Sequence, residues 1–378
     1  MKVPFLDLGR QTACCRGELD AAVARVLDRA RYVLDIELES FEREWAAFCG
    51  ARFAVGVGNG TQALEIALRA SGVGPGHEVI TSPLTAPFTA QAILGAGAIP
   101  VFADVDERTL LLDPAAAESA VTPRTRAILP VHLYGRVADL EAFADITRRH
   151  GLDLVQDACQ AHGAALHGRP LTAWSRGVVY SFYPTKNLGA LGDGGALVTD
   201  DAEAAEAARL LRNGGVRGQA ISELPALNSR LDEIQAALLR AKLPHLAEWN
   251  ERRRQLAAFY AREIGPPVGG IPAEPGSHVY HLYVVRVERR AELQQFLAGA
   301  GIGTMVHYPR PLHWQAAFGG SPACAGALPV VERACREIIS LPLHPQLEDA
   351  EAELVINAIR DYRLPATGSA ERGMRSAE

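Results

Sequence analysis

Lysine is scarce in this sequence of 378 residues. Its 38 basic residues include only three lysines, Lys2, Lys186 and Lys242, so arginine is the default cation. Arginine can bind phosphate, but it cannot lose a proton and attack a carbonyl group. A primary amine that persists here suggests covalent chemistry such as imine formation. The alternative is that Lys186 was retained by chance during sequence drift, as Lys2 at the terminus and Lys242 in an Arg/Leu-rich helix would have been. The residues around Lys186 decide between these two interpretations.

Three further absences narrow the possible functions. No apolar run has the length of a membrane span, and the first residues do not read as a signal peptide. No basic stripe accompanies the net charge of −6, which argues against nucleic acid as the main partner. None of the six cysteines has metal-ligand spacing, and adjacent Cys14 and Cys15 are a poor disulfide framework. We therefore expect a cytoplasmic protein with reduced thiols and no metal.

The order of apolar and amphipathic segments predicts an α/β protein with a largely parallel sheet. We expect a large α/β domain over residues 1–245, a small α+β domain over 246–365 and a disordered tail over 366–378. Pro244 should break the helix near the boundary, and a Gly/Pro-rich stretch follows at 264–276. The predicted helices are 61–71, 87–95, 138–150, 201–212 and 290–300, and the predicted strands are 53–57, 77–81, 99–103, 127–132, 152–156, 178–182, 196–199, 279–287 and 304–308.

Four features bear on the role of Lys186. Asp157 ends an apolar strand, where a carboxylate next to a core needs a cation or hydrogen-bond donors. Residues 58–61, Gly-Asn-Gly-Thr, join a strand to a helix N-terminus, where an anion can bind. Ser181 ends another strand five residues before Lys186, and its hydroxyl could reach a phosphate. The glycines at 189, 192, 194 and 195 permit an irregular backbone against a planar ligand.

Each feature alone has an ordinary explanation, such as a helix cap, a turn or a glycine-rich hairpin. Together they offer a phosphate site, a carboxylate for a ring nitrogen and an amine for an imine. That combination fits one cofactor, pyridoxal phosphate. The residues also fall at carboxyl ends of strands, where sheets of this kind bind ligands. Pyridoxal phosphate is therefore the predicted cofactor.

The sequence resembles the DegT/DnrJ/EryC1/StrS sugar aminotransferases from about Val3 to Tyr362. The resemblance implies the fold-type I fold of pyridoxal phosphate enzymes, which is aspartate aminotransferase-like. The segments that carry it are GT at 60–61, PVFADVD at 100–106, PVHLYG at 130–135, QDACQAHG at 156–163, SFYPTKNLGALGDGG at 181–195, NSRLDEIQAALL at 228–239 and MVHYPRPLHWQ at 305–315.

The resemblance also implies roles for individual residues. Lys186 would bond to the cofactor and move protons, Asp157 would pair with the ring nitrogen, and Gln160 would contact the ring hydroxyl. The phosphate would be held by Gly60, Thr61 and Ser181, together with Asn228 of a neighbouring subunit. Active sites would then be shared across a homodimer. The implied sugar contacts are Tyr183, His307, Tyr308, His313 and Gln315.

This chain departs from the family pattern at several positions. The family often has a ring-stacking aromatic residue directly after the threonine that matches Thr85, but this chain has Ala86 there. Phe88 follows two residues later and could stack instead, or an aliphatic side chain could cover the ring. Gln62 and Gln156 stand where acidic residues are common. None of these changes removes a group that the chemistry requires.

The implied reaction moves an amino group from L-glutamate to a keto group of a nucleotide-linked sugar. Asn-Ser-Arg-Leu at 228–231 and the 307–315 segment look most like members that aminate a dTDP-3-keto-6-deoxyhexose, in natural-product or surface-glycan synthesis. Lys186 argues against the dehydratases, in which histidine replaces this lysine. Two alternatives stay open: an aminotransferase for 4-keto sugars or scyllo-inosose, and a non-catalytic regulatory protein that binds pyridoxal phosphate.

Overall fold

A seven-stranded sheet forms the centre of the computed structural model, which describes residues 2–217, 221–264, 269–270, 277–318 and 327–363. Five neighbouring strands are parallel, whereas Gly195–Thr199 runs antiparallel to both of its neighbours. The predicted α/β architecture with a mostly parallel sheet is confirmed. Across the sheet the strands are Phe53–Val57, Gly195–Thr199, Gly177–Ser181, Asp153–Asp157, Thr125–Leu129, Glu78–Thr81 and Ile99–Phe102.

Helices cover this sheet, so its strands are buried along almost their whole length, as their runs of Val, Ile and Ala require. Several helices begin at residues that the sequence marks, with Asn59 capping one helix and Pro87 opening the next. The helices are α1 Leu8–Cys14, α2 Arg16–Arg29, α3 Ile36–Phe48, α4 Gly60–Ala70, α5 Pro87–Gly95, α6 Pro114–Ser119, α7 Leu140–His150, α8 Ala202–Arg212, α9 Glu233–Lys242, α10 Leu246–Glu263, α11 Arg290–Gly299, α12 Pro329–Glu337 and α13 Asp349–Arg363.

A smaller sheet follows α10. It joins Gly269–Gly270, Tyr283–Arg286 and Ile338–Leu341, and all of its pairings are antiparallel. Apolar residues of α10, α11 and α13 pack with this sheet into one core cluster. The predicted strand over 304–308 is wrong, because Met305 makes only a single bridge to Ser340. The predicted strand over 279–287 shortens to Tyr283–Arg286.

The chain passes from α9 to α10 through a tight turn, Leu243–His245, as expected at Pro244. A domain boundary at residues 245 and 246 stays a prediction. The proposed tail at 366–378 and most of the Gly/Pro-rich stretch lie outside the described residues. Within the described ranges no helix is long and apolar enough to cross a membrane, and no cluster of His, Cys, Asp and Glu could hold a metal. Five cysteines are free thiols, and Cys324 lies outside the described part of the chain.

Candidate active site

The carboxyl edge of the central sheet brings Asp157, Ser181 and the N-terminus of α4 together. Gly60, the first residue of α4, approaches Ser181 so closely that a Cβ at Gly60 would lie 2.7 Å from the Ser181 Cβ and 3.1 Å from the Cys159 Sγ. Only glycine fits this approach. The free N–H groups of the first turn of α4 therefore lie beside the Ser181 side chain, which is the arrangement of an anion site.

Asp157 is buried, with 4% of its surface exposed. Its Oδ2 accepts a hydrogen bond from Thr89 Oγ1 at 2.8 Å, and its Oδ1 accepts one from the Cys159 N–H at 3.1 Å. The Thr89 hydroxyl in turn lies 3.1 Å from the Thr85 hydroxyl. Both of the hydrogen-bond donors to Asp157 are uncharged, and the Lys186 amine acts on the carboxylate only through attraction at longer range.

Lys186 lies half-buried on the loop that follows Gly177–Ser181. Its backbone N–H closes a turn with the Tyr183 carbonyl at 2.9 Å. Burial lowers the pKa of the Lys186 amine below its ordinary value, and nearby Cys159 and Asp157 only partly offset that effect. A lowered pKa increases the share of neutral amine, which is the form that attacks carbonyl groups and accepts protons.

The residue after Lys186 anchors this loop to two other parts of the molecule. Asn187 Nδ2 donates to Asn250 Oδ1 at 2.8 Å and to the Val279 carbonyl at 3.2 Å, and its Oδ1 lies 3.0 Å from His281 Nδ1. Asn250 Nδ2 also donates to the His162 carbonyl at 2.7 Å. Sequence reasoning missed this network, because its members lie far apart in the chain and each is an ordinary polar residue alone.

Gln160 links the cofactor side of the site to the segment at 307–308. Its Oε1 accepts from the Tyr134 N–H at 2.6 Å, and its Nε2 donates to Tyr308 Oη at 3.3 Å. The Tyr134 hydroxyl donates to the His307 carbonyl. Gln160 and its partner Tyr134 thus hold Tyr308 and His307, which supports the predicted place of both residues near the site.

His307 offers the site a neutral ring. Its Nδ1 lies 2.9 Å from Ser340 Oγ, and its ring stacks against Phe5 with centroids 5.7 Å apart. Burial, with a smaller effect of the Lys186 charge, lowers the pKa of His307 to about 4. His307 is therefore uncharged at neutral pH. It can form hydrogen bonds without bringing a second positive charge to the site.

The other predicted substrate contacts differ in their surroundings. Tyr183 and Phe88 are 52% and 57% exposed, so each ring has a free face. His313 is buried, and its Nε2 lies 3.3 Å from Glu332 Oε1. Gln315 Nε2 donates to the Arg310 carbonyl at 3.2 Å. Contacts of Tyr183, His313 and Gln315 with a sugar, and of Phe88 with the cofactor ring, stay predictions.

The phosphate side includes a connection that the sequence did not predict. Ser229 Oγ donates to Gln62 Oε1 at 2.7 Å and accepts from the Gly58 N–H at 3.0 Å. This bond holds the segment at 228–230 against the first turn of α4. Asn228 is exposed and Thr61 is half-buried, so both side chains remain accessible. Their predicted contacts with phosphate stay predictions.

The residues present fit pyridoxal phosphate. Asp157 is a buried carboxylate whose hydrogen-bond donors are both uncharged, and a protonated ring nitrogen would give it a directly bonded cation. The close approach of Gly60 and Ser181 leaves backbone N–H groups for a phosphate. Lys186 supplies the amine. When bound, the cofactor provides the electron sink and carries the amino group between two substrates.

Fold and site together define an aminotransferase that depends on pyridoxal phosphate. The profile of the DegT/DnrJ/EryC1/StrS aminotransferase family matches residues 13–360, and the chain belongs to this family. One relative, the dTDP-3-amino-3,4,6-trideoxy-alpha-D-glucose transaminase of Streptomyces venezuelae, is 49% identical over 96% of both chains. The predicted family, fold and enzyme class are confirmed: the chain is a sugar aminotransferase.

Two solved structures agree with this assignment. S. venezuelae DesV in complex with a ketimine intermediate matches with a TM-score of 0.93 and 49% identity, over 95% of this chain and 98% of that one. NtdA of Bacillus subtilis with bound pyridoxamine phosphate (PMP) matches with a TM-score of 0.89 and 29% identity, over 95% and 84% of the two chains. The predicted cofactor is therefore confirmed.

Proposed function

We propose that this aminotransferase transfers the amino group of L-glutamate to the keto group of a dTDP-linked 3-keto-6-deoxyhexose. The observation that carries the proposal is the meeting of Lys186, Asp157 and the Gly60–Ser181 cradle at one sheet edge. Asp157 would orient the cofactor ring, the α4 N-terminus and Ser181 would hold its phosphate, and the Lys186 amine would hold the cofactor and move protons in each half of the reaction.

Proton movement by Lys186 requires an amine that is neutral near physiological pH. Burial of the site lowers the pKa of Lys186 in that direction. Gln160 bonds Tyr308 and Tyr134 bonds the His307 carbonyl, so hydrogen-bonding groups of the 307–308 segment lie beside Gln160, where we place the sugar. L-Glutamate leaves as 2-oxoglutarate in the first half of the reaction, and the keto sugar accepts the amino group in the second.

The choice of a 3-keto sugar rests on two supports. Residues 228–231 read Asn-Ser-Arg-Leu, and the S. venezuelae relative at 49% identity is named for a 3-amino sugar. In this chain Ser229 of that segment bonds Gln62 on α4, so the motif lies next to the phosphate side of the site. A 4-keto sugar is the competing substrate and is treated as an outcome of the test.

The reverse reaction tests the proposal, because amino sugars are more stable than their keto forms. Purified enzyme with pyridoxal phosphate and 2-oxoglutarate is offered a dTDP-3-amino- or a dTDP-4-amino-6-deoxyhexose, and glutamate is measured. We expect glutamate from the 3-amino sugar alone. Glutamate from the 4-amino sugar alone would contradict the proposed substrate and keep the aminotransferase mechanism.

We further propose a homodimer in which Asn228 of each subunit contacts the phosphate in the other. The exposure of Asn228 beside α4 supports this arrangement, as do the exposed apolar side chains Tyr32, Val33, Leu34 and Ile36. Subunits carrying Lys186→Ala and subunits carrying Asn228→Ala are each expected to be impaired. Mixing them should restore activity, because one of the two shared sites is then intact. Mixed subunits no more active than the separate variants would contradict shared sites.

A further inference from the structure

A second lysine, Lys242, is buried in this chain. It is the last residue of α9 and has only 1% of its surface exposed. Its Nζ donates to the Gly189 carbonyl at 2.8 Å, and within the described ranges this is its only hydrogen bond. Burial lowers the pKa of Lys242, and nearby Cys15 partly offsets that effect.

Packing alone does not account for a lysine at this position. Leu238 and Leu239, one helical turn earlier in α9, are both buried, so a leucine or methionine would continue the same apolar face. Burial of an ammonium group is unfavourable unless its partner compensates for the lost water. Arginine serves as the cation almost everywhere else in the chain, yet its planar guanidinium cannot replace a compact ammonium in a closed space.

The Gly189 carbonyl belongs to the turn that carries Lys186. Gly189 packs against the start of this turn so closely that a Cβ there would lie 2.4 Å from the Pro184 carbonyl oxygen. The next residue, Ala190, donates its N–H to the Phe182 carbonyl at 2.7 Å. Residues 184–189 therefore form a closed turn, and a shift of its Gly189 end is transmitted to Lys186.

Lys242 and Asn250 secure two neighbouring positions of this turn from two successive helices. Asn250 of α10 holds the Asn187 side chain, and Lys242 of α9 holds the Gly189 backbone. Both bonds hold residues that follow Lys186 in the chain, at positions 187 and 189. A long side chain such as lysine needs this support, because proton transfer depends on placing the amine within about 3 Å of the reacting carbon.

We propose that Lys242 is a positioning residue for Lys186, holding the catalytic turn in place through the Gly189 carbonyl. The inference rests on the proposed function of Lys186. Removal of the ammonium should leave the cofactor bound, because the contacts of Asp157 and Ser181 are unchanged. It should slow the steps in which the Lys186 amine moves protons.

The test compares Lys242→Met with Leu238→Ala in the holoenzyme. Lys242→Met keeps length and apolar packing but removes the donor, whereas Leu238→Ala weakens the packing of α9 against Cys15 and Leu19 without touching the turn. For Lys242→Met we expect kcat to fall at least about tenfold, with KM for the amino donor changed less than about twofold. The visible absorption of the bound cofactor should also titrate at a shifted pH. Leu238→Ala should lower thermal stability and leave both readings unchanged.

Borohydride reduction of the wild-type holoenzyme, followed by peptide mapping, separates this inference from the proposed function. Label at Lys186, together with wild-type kcat and titration in Lys242→Met, would overturn the positioning role alone. Label at any other residue would overturn both the proposed function and this inference. A loss of kcat in Leu238→Ala equal to that in Lys242→Met would show a general packing effect and would also overturn it.

Discussion

Asp157 depends on Thr89, a residue at the start of α5 that holds one of its two carboxylate oxygens. Thr89→Val keeps the side-chain shape and removes this donor. We expect kcat to fall by roughly tenfold, because a hydrogen bond to a charged group contributes about 1.5 kcal/mol or more. Steady-state kinetics of the purified variant measure the effect. Thr85→Val is the matched control, since among the described residues the Thr85 hydroxyl bonds the Thr89 hydroxyl and not the Asp157 carboxylate. Equal kinetics for Thr89→Val and wild type would contradict the role of Thr89.

The sequence predicted some of these residues and missed others for a physical reason. Lys186 and Asp157 stand out because each is a chemically distinctive residue at the end of a strand. Thr89, Asn250 and Lys242 reach the site through bonds to partners at least 53 residues away. Nothing in their local sequence indicates such a partner, and the burial of Lys242 cannot be inferred from a helical pattern.

At the scale of elements, the N-terminus of α4 is the part of the fold that the phosphate site requires most. Gly60→Ala would place a Cβ 2.7 Å from the Ser181 Cβ and would push the helix away from the strand end. We expect the affinity for pyridoxal phosphate to fall on the order of a hundredfold, as measured by cofactor titration of the apoenzyme. Gly74→Ala is the control, because a Cβ there meets nothing within 4 Å. Unchanged affinity in Gly60→Ala would contradict the proposed cradle.

Element prediction from the sequence succeeded where apolar runs are bounded by turn residues. The seven strands of the central sheet were all expected, because buried parallel strands read as continuous apolar runs. The helices α1, α2 and α3 were not predicted. Asp7 caps the start of α1 and was overlooked, whereas α2 follows no capping side chain and lies largely exposed. The 304–308 segment has strand-like residues but meets Ser340 at only one position.

At the scale of the whole molecule, buried neutral histidines should make stability depend on pH. Burial lowers the pKa of His132 and His344 to about 4, and that of His162 and His278 to about 3. In the unfolded chain each has a pKa near 6.5 and takes up a proton below that pH. Above about pH 6.5 these histidines therefore cost the folded state nothing. Below that pH the free energy of unfolding declines by about 1.4 kcal/mol per pH unit for each histidine.

Urea unfolding between pH 7.5 and pH 5 measures this dependence. His344 is the histidine to vary, because it is fully buried and neither ring nitrogen has a hydrogen-bond partner among the described residues. His344→Met should reduce the slope of stability against pH by about one proton. Equal slopes for the variant and the wild-type protein would contradict the assignment of His344 as a histidine that stays neutral in the folded protein.

Lys186→Arg tests the central claim most directly, since arginine keeps the charge that this chain otherwise prefers and removes the reactive amine. Turnover of the variant and of wild type would be compared with saturating pyridoxal phosphate, an amino donor and a dTDP-linked keto sugar, while bound cofactor is measured in parallel. The variant should retain cofactor through Asp157 and the α4 N-terminus and show no detectable turnover. Turnover near the wild-type rate would contradict the role of Lys186.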